Sequence, residues 1–498
     1  MQITFLDDLS KINKNSINVF FLTKDYCENN FHFLNTQYDF KAEYNEKIIF
    51  NDENNKISVA IGLGDDNDLS VNNLEYLGNS LLKYLENNKF KYATIFYNSN
   101  TKNINKNFEN KIFKIITGLE LSSYNFNKYL LPEKQKEKSI KIKNIDFIVE
   151  NTESIKKKYN DFLIVKENVF LCRNLVNEPS NVINPDTYSE ICKQLVEYGL
   201  EVTILGEEEM AKLGMNSLLA VGQGSNYESK LVILKWKGLD NFENPVAFVG
   251  KGITFDSGGI SIKPDDAMYD MKCDMAGSAV VVSTLKLLAQ RKAKVNAVGV
   301  IALVENMPSG SAVKPGDIVE SMSKQTIEIL HTDAEGRLIL ADSLYYTVTN
   351  FNPIMIIDLA TLTGACCVAL GSANAGIFTN SNELADEINK SSKDTGENSW
   401  RMPLVEFGGT YDKMIDSDIA DVKNISGVRL AGAITAAQFL QRFINKHKKW
   451  AHIDIAGTAF LTSAELYSAK NIYTVDNGAT GYGVRLLNNL IMNNYEQQ

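Results

Sequence analysis

Two periods of hydrophobic and polar alternation run along this chain, and the changes between them mark its elements. Residues 57–63 and 92–97 are short apolar runs rich in β-branched and aromatic side chains, which predict strands. Between them, residues 74–85 carry apolar side chains at helical spacing, so the three pieces make a βαβ unit. An N-terminal α/β domain is expected over residues 1–160. Helical spacing returns over 161–175 and stops at a turn-rich junction whose Pro179 and Pro185 end the helix, so 161–185 reads as a linker helix and junction. From 186 to 498, strand patterns at 231–236, 246–250, 295–304, 354–359 and 450–455 alternate with helical patterns at 276–289, 338–348, 433–443 and from 483 onward. The predicted fold class is α/β: a small N-terminal α/β domain plus a larger C-terminal α/β domain with a central mixed sheet flanked by helices.

Length and composition narrow the function. At 498 residues the chain exceeds one typical domain. Its formal charge of −10 argues against nucleic acid as the main partner. The lysine-rich segments 132–143 and 156–158 read as solvated surface and not as a nucleic-acid footprint. The longest apolar runs, such as 298–304, fall far short of a membrane span, and no basic n-region precedes an apolar run at the N-terminus. Six cysteines without C-x-x-C spacing read as reduced thiols, which suits a cytoplasmic location. With only His32, His331, His447 and His452 available, H-E-x-x-H is excluded and a metal site must rely on other ligands.

Two stretches carry the chemistry. In Thr332-Asp333-Ala334-Glu335-Gly336-Arg337, two carboxylates follow an expected strand at 326–330 and precede an expected helix. The spacing Thr332-x-x-Glu335 also fits a capping box, in which both side chains merely satisfy helical N–H groups. The second stretch, Val249 to Pro264, reads as a glycine-rich loop after a strand and presents Lys251, Asp256 and Lys263. It matches neither G-x-x-x-x-G-K-[ST] nor G-x-G-x-x-G. Asp274 stands at the start of the next helix, where it would also serve as an N-cap. Singly, each residue has a plain explanation; jointly, four carboxylates and two lysines at three strand-to-helix junctions call for cations. Clustered carboxylates repel unless compensated, and oxygen donors suit a pair of divalent metals that activate water for hydrolysis. One lysine then suits a neutral amine ligand and the other a charged oxyanion stabiliser.

These residues sit within motifs that resemble the leucyl (cytosol) aminopeptidase family. The resemblance rests on Val249-Gly250-Lys251-Gly252-Ile253-Thr254-Phe255-Asp256-Ser257-Gly258-Gly259, Lys263-Pro264, Met271-Lys272-Cys273-Asp274-Met275 and Thr332-Asp333-Ala334-Glu335-Gly336-Arg337-Leu338-Ile339-Leu340-Ala341-Asp342. Asn306-Met307-Pro308-Ser309-Gly310, Ala360-Thr361-Leu362-Thr363-Gly364-Ala365, Trp400-Arg401-Met402-Pro403-Leu404 and Asp454-Ile455-Ala456-Gly457-Thr458-Ala459 extend it, in order, from about residue 170 onward.

The resemblance implies a two-zinc exopeptidase, with Mn, Mg or Co able to exchange, acting on peptide substrates with an apolar first residue such as leucine. It implies that Lys251, Asp256, Asp274, Asp333 and Glu335 bind metal, with Asp256 and Glu335 contacting both ions. It further implies that Lys263 stabilises the oxyanion and that Arg337 holds a bicarbonate ion as general base. Met271, Thr361, Leu362, Gly364 and Ala456 would bind substrate, and six copies would assemble as a homohexamer. The family most often has Asn where this chain has His331, which reads as a structural replacement. Cys273 is expected to point away from the site, and Cys366 and Cys367 to be apolar filler. Two other functions compete: a two-metal phosphoesterase, against which the apolar pocket argues, and a DNA-binding role through the lysines of 134–158.

Overall fold

The computed structural model describes residues 1–53, 55–65, 69–98, 106–462 and 474–497. Two compact units meet in sequence between Lys166 and Glu167, along one continuous helix, Thr152–Asn177.

The first unit is built on six strands: β1 (Gln2–Leu6), β2 (Ile17–Thr23), β3 (Lys47–Asn51), β4 (Ile57–Gly64), β5 (Tyr92–Asn98) and β6 (Asn144–Ile148). Their order is β1-β6-β5-β2-β4-β3, parallel except for the edge strand β3. Val19, Phe21, Val59, Ile61 and Ile95 face a core shared with Leu77 and Leu81 of helix Val71–Asn87 and Ile115 and Ile116 of helix Lys106–Leu121. The expected βαβ unit is present, with β2 lying between its two strands. Within the lysine-rich segment, Pro132–Lys138 forms a short helix with no buried residue.

The second unit has β7 (Glu201–Leu205), β8 (Lys230–Lys237), β9 (Val246–Asp256), β10 (Asn296–Asn306), β11 (Ile318–Glu320), β12 (Thr326–Glu328), β13 (Met355–Ala360), β14 (Ala375–Thr379), β15 (Ser399–Arg401), β16 (Val422–Lys423), β17 (Trp450–Asp454), β18 (Phe460–Leu461) and β19 (Gly478–Ala479). Eight of them form a mixed sheet in the order β15-β14-β17-β13-β9-β10-β8-β7. Its centre, β17-β13-β9-β10, is all parallel, and β8 and β14 run antiparallel against that block. Central strands covered on both faces are mostly apolar: β10 is so from Ala297 to Val304, and β13 except for Asp358, whose carboxylate pairs with Trp450 Nε1 and His452 Nδ1. Val249, Val300, Ile356 and Trp450 pack with Leu338, Ile339, Phe439 and Leu440 from helices Gly336–Phe351 and Gly432–Gln441. The carboxyl ends of four parallel strands thus open on one edge, where α/β folds bind ligands.

Three expectations are corrected. The strand expected to stop at 250 runs on to Asp256, pairing Asp256 with Asn306 across a register shift at Val304/Glu305, so Lys251 and Asp256 belong to a strand and not to a loop. The strand expected over 326–330 ends at Glu328 because the amides of Leu330 and His331 donate to the Asn424 side chain instead of a ladder. The capping box is absent. Thr332 Oγ1 accepts from Ser261 N at 2.8 Å and donates to Gly258 O at 2.7 Å, which ties two loops together, while Glu335 makes no cap.

Helix Ala276–Gln290 lies on β9 and β13 at backbone distance. A Cβ at Gly277 would stand 2.1 Å from Leu359 O, and one at Gly250 would stand 2.6 Å from Ser278 Cα. This contact sets Asp274, just ahead of the helix, beside Lys251. Gly277→Ala should therefore destabilise the protein by about 1–3 kcal/mol, the usual cost of overpacking a tight core. Urea unfolding checks this, and unchanged stability would show that the helix has room to shift.

Candidate active site

Every predicted site residue borders one cavity of about 900 Å³ at the sheet's carboxyl edge. Strand β9 contributes Lys251 and Asp256; the following loop adds Lys263; the short turn before helix Ala276–Gln290 adds Met271 and Asp274. Asp333, Glu335 and Arg337 come from the start of helix Gly336–Phe351, Thr361, Leu362 and Gly364 from the end of β13, and Ala456 from the end of β17.

Two lysines stitch the carboxylates together. Lys251 Nζ lies 2.8 Å from Asp274 Oδ2, 2.8 Å from Glu335 Oε1 and 2.9 Å from the Thr361 carbonyl it donates to. Lys263 Nζ lies 2.7 Å from Asp256 Oδ2 and 2.6 Å from Asp333 Oδ1. Lys251, Asp256, Asp274 and Glu335 are each less than 5% exposed, so these charges face little water. A Cβ at Gly336 would stand 2.8 Å from Lys251 Cε, so the lysine reaches Glu335 only past a residue without a side chain.

The remaining lone pairs are partly spoken for. Asp256 Oδ1 accepts from Gly258 N and from Asn306 Nδ2, and Asn306 also donates to the Thr332 carbonyl. Asp274 Oδ1 accepts from Thr361 Oγ1 at 2.7 Å. Asp454 organises the far wall, accepting from Leu362 N, Ala456 N and Thr363 Oγ1. Glu335 Oε2 is buried with no hydrogen-bond partner among the described residues.

Four carboxylates against two ammonium groups leave negative charge in excess, and the ionisation equilibria register it. Burial, then Glu335 and Asp274, push Asp256 well above the usual carboxylate range. Burial raises Asp274 to about 6 despite Lys251. Asp333 is raised by burial and Glu335, with Lys263 opposing. Glu335 goes the other way: burial would raise it, but Lys251 and Lys263 outweigh that and lower it. Burial alone would lower Lys251, yet Asp274, Glu335 and Asp256 lift it above its ordinary value.

This donor set fits divalent cations. One oxygen each from Asp256, Asp333 and Glu335 can be chosen within 4.8 Å of one another, one Glu335 oxygen has no partner to lose, and the excess charge is negative. Arg337 fits an anion. Its Nη1 donates to the Asn424 carbonyl at 2.7 Å, while its buried Nε has no hydrogen-bond partner among the described residues. Burial lowers it only to about 10, so it remains a cation at neutral pH.

The structure also adds residues that pattern reading missed. Asn306, Asp454 and Asn424 hold the site through bonds to partners distant in sequence, which no local spacing signals. Ile425, Val428, Arg429, Phe460 and Thr462 border the cavity. Cys273, expected to point away, borders it too, as does Cys367, whereas Cys366 is packed in a small apolar cluster. The His331 side chain is exposed at the cavity edge, and its structural part is played by its backbone, held at both N–H and C=O by Asn424.

Fold and donor set together suit a hydrolase that uses divalent cations. Residues 170–488 match the catalytic domain of the cytosol aminopeptidase family, and residues 27–132 match that family's N-terminal domain. The chain belongs to the cytosol aminopeptidase family and is a leucyl-aminopeptidase-type hydrolase. A probable cytosol aminopeptidase of Caulobacter vibrioides is 51% identical over 380 residues, 76% of this chain and 75% of that protein. One from Ehrlichia ruminantium (strain Gardel) is 45% identical over 443 residues, 88% of this chain and 85% of that protein. Among solved structures, the bottromycin maturation enzyme BotP in complex with Mn is similar with a TM-score of 0.80 and 27% identity, covering 96% of this chain and 99% of that one.

The charge excess has a measurable consequence without metal. Because Asp274 binds its proton more tightly when folded, its stabilising contribution is complete below its ordinary value of 3.8 and is lost as pH rises through about 6. Glu335, being lowered, contributes in the opposite sense, with stability lost as pH falls. Melting temperatures of chelator-treated protein across this window should fall less steeply with rising pH in Asp274→Asn than in the unaltered chain. Identical slopes would remove Asp274 from the linkage.

Proposed function

We propose that this aminopeptidase removes an apolar N-terminal residue, leucine foremost, from peptides, with two divalent cations per chain. The observation that carries the reading is the cluster of buried Lys251, Asp256, Asp274 and Glu335 with half-buried Asp333, its excess negative charge and a Glu335 Oε2 without a partner among the described residues, at the floor of a cavity. These five residues would hold the ions, Asp256 and Glu335 serving both. Zinc would suit the site, with manganese, magnesium or cobalt able to replace it; the similar BotP structure is a complex with Mn, which supports manganese among these. Bound there, the cations supply an acidified water and a polarised scissile carbonyl.

The chain's own groups do the rest. Lys251 would hold a cation through its neutral amine, its proton passing to solvent as the cation's charge replaces it beside Asp274 and Glu335, which would then be free of their ion pairs. Lys263, partly exposed and cationic, pairs with Asp256 and Asp333 and, with cations in their place, would be free to turn its ammonium toward the oxygen that becomes negative. Arg337 offers its free Nε–H to a bicarbonate, whose chemistry there is that of a general base. Met271, Thr361, Gly364 and Ala456 would line the pocket for the first side chain, with Leu362 and Gly364 beside the anion and the substrate backbone; all five border the cavity. Assembly as a homohexamer and residence in the cytoplasm follow the same family pattern. Among the described residues no helix is long and apolar enough to cross a membrane.

Release of p-nitroaniline from leucyl-p-nitroanilide tests the reading: a chelator should abolish it, and zinc or manganese restore it. Lys263→Ala should keep its metal and lose about 10²–10³-fold in kcat, the scale of one lost oxyanion contact. Glu335→Ala should lose metal and activity together. Metal-loaded protein that leaves leucyl-p-nitroanilide intact would refute the proposal, and an unchanged kcat in Lys263→Ala would exclude that lysine.

A further inference from the structure

Asn424 is fully buried, and most of its hydrogen-bonding capacity is spent on the two functional segments of the site. The ladder between β12 and β16 places it: Ile327 pairs with Val422, Glu328 pairs with Lys423, and Asn424 N then donates to Glu328 O at 2.9 Å. There the side chain takes over from the ladder. Its Oδ1 accepts from Leu330 N at 2.8 Å and His331 N at 3.3 Å, and its Nδ2 donates to His331 O at 2.7 Å and, at the limit of bonding distance, to Ala334 O. Its own carbonyl accepts from Arg337 Nη1 at 2.7 Å. A single residue therefore grips the loop that carries Asp333 and Glu335 and, with its main chain, the guanidinium two residues beyond it.

We propose that Asn424 is the positioning residue that sets the metal-binding carboxylates Asp333 and Glu335 in register with the anion-binding Arg337. The inference rests on the functional reading above. An amide is the side chain for this task because one short planar group supplies both a donor and an acceptor. An aspartate would turn a carboxylate oxygen on the His331 carbonyl, and a leucine would leave two buried N–H groups and a carbonyl without partners. Either change loosens the loop and the arginine together, although Asn424 itself does not line the cavity.

The test uses full-length Asn424→Asp and Asn424→Leu. Cobalt affinity and visible absorption of the cobalt-loaded protein report the ligand arrangement, kcat and KM on leucyl-p-nitroanilide report the chemistry, and melting of the metal-free protein reports the fold. Cobalt affinity and kcat should each fall roughly 10–100-fold, as when the groups supporting metal ligands are removed, and the absorption bands should shift. KM should stay within roughly threefold, because lost transition-state positioning appears in kcat. Should neither variant fold, Asn424→Ser, which keeps a smaller donor and acceptor, is measured for the same pattern. Unaltered cobalt affinity and spectrum, with activity falling only as the folded fraction falls, would overturn the inference. If the unaltered chain itself binds no cobalt and cleaves no anilide, it is the functional reading that has failed.

Discussion

Three buried carboxylates and a half-buried fourth, set against two lysines, are the constraint around which this chain is arranged. A lone buried carboxylate costs several kcal/mol and would shed its charge by taking up a proton. Here Lys251 spans Asp274 and Glu335, and Lys263 spans Asp256 and Asp333, so that charges from β9 and its junction with helix Ala276–Gln290 are tied in two knots to those at the junction ahead of helix Gly336–Phe351. Burial raises Asp256, Asp274 and Asp333, with the lysines too few to outweigh it, while Glu335, facing both lysines, is lowered. Divalent cations fit a cluster whose own residues leave it negative.

The architecture exists to bring those junctions together. Four central strands run parallel, so their carboxyl ends open on one edge, and the backbone contact of Gly277 with Leu359 lets a helix start within reach of Lys251. Thr332, Asn306 and Asp454 then fasten one loop to the next by bonds to backbone as well as to side chains. The bonds of Thr332 and Asn306 fix loop positions without adding charge, whereas Asp454 does so with a carboxylate of its own. The exposed His331 side chain stands beside this frame, while its backbone is part of it.

What could be read from the sequence followed from what local patterns encode. Central strands such as β10 and β13 were plain because burial on both faces favours long apolar runs, interrupted in β13 by Asp358, which pairs with Trp450 and His452. Asp333 and Glu335 became legible as a site only beside Lys251, Asp256, Lys263 and Asp274, since Thr332 and Glu335 alone suit a helix cap equally well. Lys251 was misread as a loop residue because Gly250 and Gly252 suggest a turn, whereas Gly250 serves the close approach of a helix to a strand. Asn424 was invisible: it acts on residues 87 to 94 positions away, and nothing in its own neighbourhood announces that.

The central claim is that the cavity floor is a binding site for two cations held by side chains that otherwise pair with one another. Anomalous diffraction from crystals soaked in manganese tests it most directly. The account predicts two adjacent anomalous peaks bounded by Lys251, Asp256, Asp274, Asp333 and Glu335, with Lys263 no longer bridging Asp256 and Asp333. A soaked crystal with no peak there, and with both lysine bridges intact, would contradict it.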